Sequence, residues 1–222
     1  MTGSEAEQHE SVAAQPRART RNARGQGRHL REELLDSANT LLMTLGTEEA
    51  LSVRAVAKGA GVSANAVYLH FDSKEDLVLA VLRRLFDELA QARDAAERRA
   101  SDAGGGLWEA LVARSRAYVD WGIANPGPYR VLYEGQAINR LADPRAGAFG
   151  QPMLDRTEQI VGALERGGLI DPVGGVQRAS LLLWTALHGI VSLRINKDTI
   201  DWPDPQRLAE EMIDAIMRRR PT

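Results

Sequence analysis

Apolar residues recur every three to four positions along most of this chain, the period of an amphipathic helix. Leu34, Leu35, Ala38, Leu41, Leu42 and Leu45 predict a first helix that ends at Gly46. Val53, Val56 and Ala57 mark a short second one, broken at Gly59-Ala60-Gly61. Val67 and Phe71 are the inward residues of a third short helix, and Val62 anchors the turn before it. A longer helix opens at Lys74, carries Leu77, Val78, Val81, Leu82, Leu85, Phe86 and Leu89, and turns polar from Arg93 to Asp102. Gly104-Gly105-Gly106 ends it.

The same period continues downstream. Helices are predicted over Leu107 to Ala124, around Tyr129 to Ala137, over Met153 to Arg166, over Val176 to Ile195 and from Leu208 to Met217. Asn125-Pro126-Gly127-Pro128 and Asp201-Trp202-Pro203-Asp204-Pro205 read as breaks, and residues 141–150 read as loop. No strand alternation competes, so the expected fold is all-α. Three parts are expected: a disordered basic arm (1–28), a three-helix unit (29–77) and a larger helical domain (78–222). Within the arm, Arg17, Arg19, Arg21, Arg24, Arg28 and Arg31 either form a solvated tail or follow DNA phosphates.

The stretch from Leu51 to Leu77 organises the chain. Ser52 and Ser63 stand where side chains cap the two short helices. Gly61 supplies the left-handed backbone of a sharp turn. Ser73-Lys74-Glu75-Asp76 opens the long helix with a capping pattern. A short helix, a tight turn and a second short helix form a DNA-reading arrangement. With Val67 and Phe71 turned inward, Ala64, Asn65, Ala66, Tyr68, Leu69 and His70 fall on the outer face. Asn65 suits an adenine edge, and Ala64 or Ala66 a thymine methyl. Tyr68 and Lys74 suit phosphate oxygens, which position without reading sequence.

The run A-V-A-x-x-A-G-V-S-x-x-x-V-Y-x-H-F-x-S-K-E-D-L, at Ala55 to Leu77, resembles the DNA-binding domain of the TetR family of transcriptional repressors. The resemblance covers about Leu30 to Leu77. It implies an all-helical homodimer on a palindromic operator, with a small-molecule effector. It also implies that Tyr68, His70 and Lys74 contact the DNA backbone, with Ala64, Asn65 and Ala66 near bases. Ser52, Arg54, Ser63 and Leu69 complete the expected DNA-facing set. Trp184-x-x-x-His188-Gly189 resembles the W…HG signature of one class of C-terminal domains in the family.

Composition narrows the chemistry. The chain has 222 residues, 44% of them hydrophobic and 26% charged, with a net charge of -2 and no cysteine. Disulfides and thiolate chemistry are excluded, and any DNA-binding positive patch must be local. No apolar run approaches membrane-span length and no signal-peptide core is present, so a cytoplasmic protein with no membrane partner is expected. His9, His29, His70 and His188 have no metal-ligand spacing, and no cofactor is called for. Gly59-x-Gly61-x-x-Ala64 matches a dinucleotide fingerprint, but a helix rather than a strand precedes it. No G-x-S-x-G elbow occurs, so no enzyme is expected.

The aromatic residues after Gly106 include Trp108, Tyr118, Trp121, Tyr129, Tyr133, Phe149 and Trp184. Most must be ordinary core, yet tyrosine and tryptophan carry polar atoms that suit a pocket. The expected ligand set is Trp108, Tyr118, Trp121, Tyr133, Trp184 and His188; for His188 a hydrogen-bonded core position is the plain alternative. Two rival readings remain at this point. One is a helical carrier or enzyme whose helix-turn-helix is only structural. The other is a regulator that answers to a protein partner.

Overall fold

The structure, a computed structural model, describes residues 26–45, 51–134 and 149–220. Among these the chain forms nine helices: α1 (Gln26–Leu45), α2 (Val53–Gly59), α3 (Ala64–Tyr68), α4 (Lys74–Asp102), α5 (Leu107–Ala124), α6 (Pro126–Tyr133), α7 (Gln151–Arg166), α8 (Val176–Asn196) and α9 (Pro205–Met217). The described residues contain no strand, only an isolated antiparallel bridge between Ile170 and Arg219. The fold is all-α, as the periodicity predicts.

The first helices close around one apolar centre. Leu34, Leu35, Ala38 and Leu42 of α1 are buried with Leu51, Val56, Ala57, Val67 and Phe71. Ser37 Oγ donates to the Val56 carbonyl at 3.0 Å and ties α1 to α2. Three serines cap as expected. Ser52 accepts from the Ala55 N–H at 3.1 Å, Ser63 from Ala66 at 3.3 Å and Ser73 from Asp76 at 3.0 Å. Gly61 turns the chain at φ 68°, where an L side chain is strained. The Val62 N–H then donates to the Ala57 carbonyl at 2.9 Å and locks the turn.

Helix α4 belongs to both halves of the molecule. Leu77, Val78, Val81 and Leu82 are buried near its start, and Leu89, Arg93 and Ala96 further along. Arg84 donates to Asp36 at 2.5 Å and so joins α4 to α1 across the surface. Beyond α4, α5 is the hub. It packs on α4, α6, α7, α8 and α9. Gly122 lets α5 approach its neighbours, since a methyl there would lie 2.6 Å from Val191 Cγ1 and 3.0 Å from the Tyr129 ring.

Several boundaries differ from the sequence expectation, each for a local reason. Helix α1 starts at Gln26, so Arg28 and Arg31 of the expected arm are helical, and Arg31 lies over the Phe71 ring at 5.0 Å. Helix α3 ends at Tyr68; Leu69 and His70 form a turn in which the His70 and Phe71 N–H groups both reach the Val67 carbonyl. Pro126 opens α6 instead of ending the chain's helical run, because a helix's first turn needs no proline N–H. Arginines 17, 19, 21 and 24, Gly46, the expected extension to Ala137 and most of the 141–150 loop lie outside the described residues.

Candidate functional site

The first candidate site is the outer surface of the helix-turn-helix unit. Asn65, Tyr68 and Leu69 are exposed, the last two at 53% and 76%. An apolar side chain as open as Leu69, beside an exposed phenol and amide, is a surface shaped for contact. Ser52, Arg54 and Ser63 are exposed around it, with the two serine oxygens already accepting their capping N–H bonds. Ala64 and Ala66 are half-buried, and Ala64 packs partly on the core. Lys74 is half-buried at the first position of α4. His70 departs from this face. It is half-buried and its ring stands by the start of α1, 3.9 Å from where a Gly27 methyl would lie.

A groove of about 890 Å³ lies behind the unit. Arg31, His70, Phe71, Arg83, Arg84, Phe86 and Phe149 are among its lining residues. Phe86 and Phe149 also belong to the second candidate site.

That second site is a cluster of rings from α4, α5, α6 and α8. The Phe86 ring meets Tyr133 edge-on at 5.9 Å. Tyr133 lies 4.8 Å from Tyr129 and 6.3 Å from Tyr118. His188 stacks on Tyr129 at 5.6 Å and meets Tyr133 at 5.1 Å. Trp184 lies 6.5 Å from Tyr133, with 43% of its surface exposed. Polar atoms within the cluster are linked. Tyr118 Oη is 3.1 Å from Tyr129 Oη, which is 2.6 Å from His188 Nδ1. Burial pushes all three tyrosine hydroxyls above the ordinary phenol range and so keeps them neutral. Burial also lowers the His188 pKa, against a smaller upward pull from Glu134. This chain of phenols and imidazole can therefore supply hydrogen bonds but no charge.

Charge enters through α4. Arg93 is only 7% exposed, and its guanidinium lies 6.0 Å from the Tyr118 ring centre. Its Nη2 donates to Thr157 Oγ1 at 3.1 Å, and its Nε has no hydrogen-bond partner. Burial, then the neighbouring Arg114 charge, lowers its pKa to about 10. Arg114, 2% exposed, is held differently: it donates to Asp94 at 2.5 Å and Glu97 at 2.6 Å. Arg156 of α7 also pairs with Glu97, and this bond, more than any other influence, lowers the Glu97 pKa.

The structure thus gathers Tyr118, Tyr133, Trp184 and His188 from the expected ligand set, and adds Tyr129, Phe86, Phe149 and Arg93. Trp108 and Trp121 stand apart. The Arg219 guanidinium lies 4.8 Å from the Trp108 ring, in a separate groove of about 660 Å³ between α4, α5 and α9. Trp121 is half-buried, and its carbonyl accepts from the Asn125 amide at 2.8 Å. Arg93 was legible only as a position: it follows Leu82, Phe86 and Leu89 at helical spacing, in register with the inner face of α4. Among the described residues no group of three or more histidine, aspartate or glutamate side chains could hold a metal ion, and no helix is long and apolar enough to cross a membrane.

Comparisons with known proteins bear on both halves of the chain. Residues 34–81 match the family described as bacterial regulatory proteins, tetR family. Residues 111–216 match the tetracyclin repressor-like C-terminal domain. The chain is 31% identical over 137 residues to the HTH-type transcriptional repressor KstR2 of Rhodococcus jostii, which covers 62% of this chain and 64% of that protein. An HTH-type transcriptional regulator of Mycobacterium tuberculosis is 31% identical over 84 residues, 37% of this chain and 35% of its own. The chain therefore spans a little under two thirds of the first relative and about a third of the second. Among solved structures, a protein of unknown function from Rhodococcus sp. RHA1 superposes with a TM-score of 0.71 at 26% identity, over 85% of this chain and 94% of that one. The fatty acid degradation regulator FadR of Bacillus halodurans shares the fold, with a TM-score of 0.69 at 17% identity over 86% and 97% of the two chains.

Proposed function

Because the chain belongs to the TetR family of transcriptional regulators, we propose that it binds a palindromic operator as a homodimer and leaves it when a small molecule enters the C-terminal half. The observation that carries this reading is the continuity of α4. Its first turn flanks the DNA-reading face, and its inner face further along presents Phe86 and Arg93 to the ring cluster. A ligand that fits better with α4 tilted shifts the population toward dimers whose reading helices no longer match successive major grooves. Only such differential affinity can release DNA; equal binding to both states shifts nothing.

The α8 surface supports a dimer. Leu181, Leu182 and Leu193 are exposed at 49%, 37% and 47% on a helix that is also buried on its inner side. Such a face is stabilised by a symmetry mate, and α9 lies beside α8 to extend the surface. The DNA-reading unit corresponds to residues 29–77 and the sensing and dimerising unit to residues 78–222, with α4 shared between them. Asn65 reads a base edge, while Tyr68 and Lys74 hold phosphates. A cytoplasmic regulator without catalytic activity fits these parts, and repression is the direction suggested by the name of the KstR2 relative. The test is protection of DNA upstream of the gene by the purified protein, followed by release on adding compounds. Absence of any protected palindrome there or elsewhere in the genome would leave the helix-turn-helix a structural unit only.

A further inference from the structure

Buried arginines normally sit against carboxylates, and Arg114 of this chain does so with two. Arg93 is its neighbour and is nearly as buried, yet among the described residues its guanidinium hydrogen bonds only a neutral hydroxyl. Asp94 and Glu97 are engaged by Arg114, and Glu97 also by the 41% exposed Arg156; neither carboxylate forms an ion pair with Arg93 among the described residues. The neutral phenols and neutral His188 on the other side supply no compensating negative charge. The Arg93 charge is therefore left without a bonded carboxylate among the described residues, next to rings that are only partly covered. Tyr133, Phe149 and His188 are half-buried, and Trp184 is more open still.

We propose that the effector is a carboxylate carried on an apolar or aromatic body, with its head on Arg93 and its body against the partly covered rings of Tyr133, Phe149 and Trp184. This rests on the reading of the chain as a regulator that senses a small molecule. A carboxylate fits the Arg93 charge: one negative charge cancels one positive. A phosphate dianion would leave a negative charge in the same buried space. The planar fork of a guanidinium also matches a carboxylate in a bidentate pair, and the unpartnered Nε is a donor ready for it. Arg93 is then a binding residue whose unpaired state in the free protein favours taking up an anion.

The experiment compares 4-phenylbutyrate, decanoate and 2-naphthoate, each with its primary amide, and adds phenyl phosphate. Full-length protein is followed by thermal melting, by Trp184-sensitive fluorescence and by release of operator DNA. At least one carboxylate should raise the melting temperature and bind at least about 30-fold more tightly than its amide, the scale of a buried charge pair losing one partner. Arg93→Met should abolish that preference, and should melt higher than the wild type because a buried unpaired charge is gone. Arg93→Lys should keep part of the preference for acids. Amides that bind as well as acids, tighter binding of phenyl phosphate, or an Arg93→Met protein that still distinguishes acid from amide would each overturn the proposal. So would the absence of any response to the three acids at millimolar concentration. Operator binding without added compound is read separately, so these failures leave the DNA-binding reading standing. Its own failure appears as loss of operator affinity in the unliganded wild type.

Discussion

Tyr129 Oη lies 2.6 Å from Nδ1 of His188, and the two rings stack at 5.6 Å. A neutral His188 protonated on Nε2 accepts this bond, and burial favours the neutral form by lowering its pKa. The consequence for stability has a definite sign. Below the ordinary histidine value of 6.5, the unfolded chain takes up a proton that the folded chain resists. Stability is thus fully present above pH 6.5 and is lost as pH falls through the lower folded value. Melting temperature measured from pH 7.5 to 5 should fall, and His188→Gln should flatten that fall. Parallel curves for the two proteins would show that His188 is not the group responsible.

Glu97 carries a second acid-sensitive link. It pairs with both Arg114 and Arg156, and its pKa lies below the ordinary 4.5. Its contribution is present above pH 4.5 and disappears as pH drops through the folded value. Glu97→Gln should destabilise the protein by roughly 1.5–3 kcal/mol at pH 7, the range for hydrogen bonds to charged groups. Urea unfolding at pH 7 and pH 4 measures it, and the gap between variant and wild type should shrink at the lower pH.

At Gly122, space alone sets the outcome. Alanine there meets Val191 Cγ1 and the Tyr129 ring at distances too short for contact. Gly122→Ala should cost about 1–3 kcal/mol, the usual penalty for overpacking. An unchanged denaturation midpoint would mean that α8 can step away from α5 freely.

On the DNA side, Asn65→Ala should cost roughly 1–3 kcal/mol of operator affinity and relax preference at one base position. Lys74→Ala should weaken binding to every sequence and reduce the salt slope by about one. Tyr68→Phe should weaken all sequences without changing the salt slope. Gel-shift titrations on operator and scrambled DNA over a range of salt separate these effects.

For assembly, Leu181→Glu places a charge on the exposed α8 face and should yield a monomer at micromolar concentration. Sedimentation velocity on variant and wild type decides it. The same variant should bind a half-site far more weakly than the wild-type dimer binds the full palindrome.

The helix-turn-helix was legible because its signals are local. Ser52, Ser63 and Ser73 cap within three residues of themselves, and Gly61 marks its own turn. The ring site was only half legible. Trp108 and Tyr118 share α5, but ten residues of helix separate them by about 15 Å, so they face different grooves. Arg93 opens a run of charged residues, and nothing within that run tells an inward arginine from a solvated one. What marks it is Thr157 and Tyr118, which are far away in the chain and near only once α5 and α7 have packed.

The length of α4 has a mechanical consequence. Its 29 residues span about 43 Å. If the helix pivots about its end at Asp102, Arg93 is about 14 Å from the fulcrum and Lys74 about 42 Å from it. The arm therefore magnifies movement about threefold between the two. A displacement of about 1 Å at Arg93 becomes about 3 Å at Lys74, close to the rise of about 3.4 Å along the duplex axis for each phosphate of one strand. A side chain adjusting to a ligand head is enough to put the gripping end of the lever out of step with the DNA backbone.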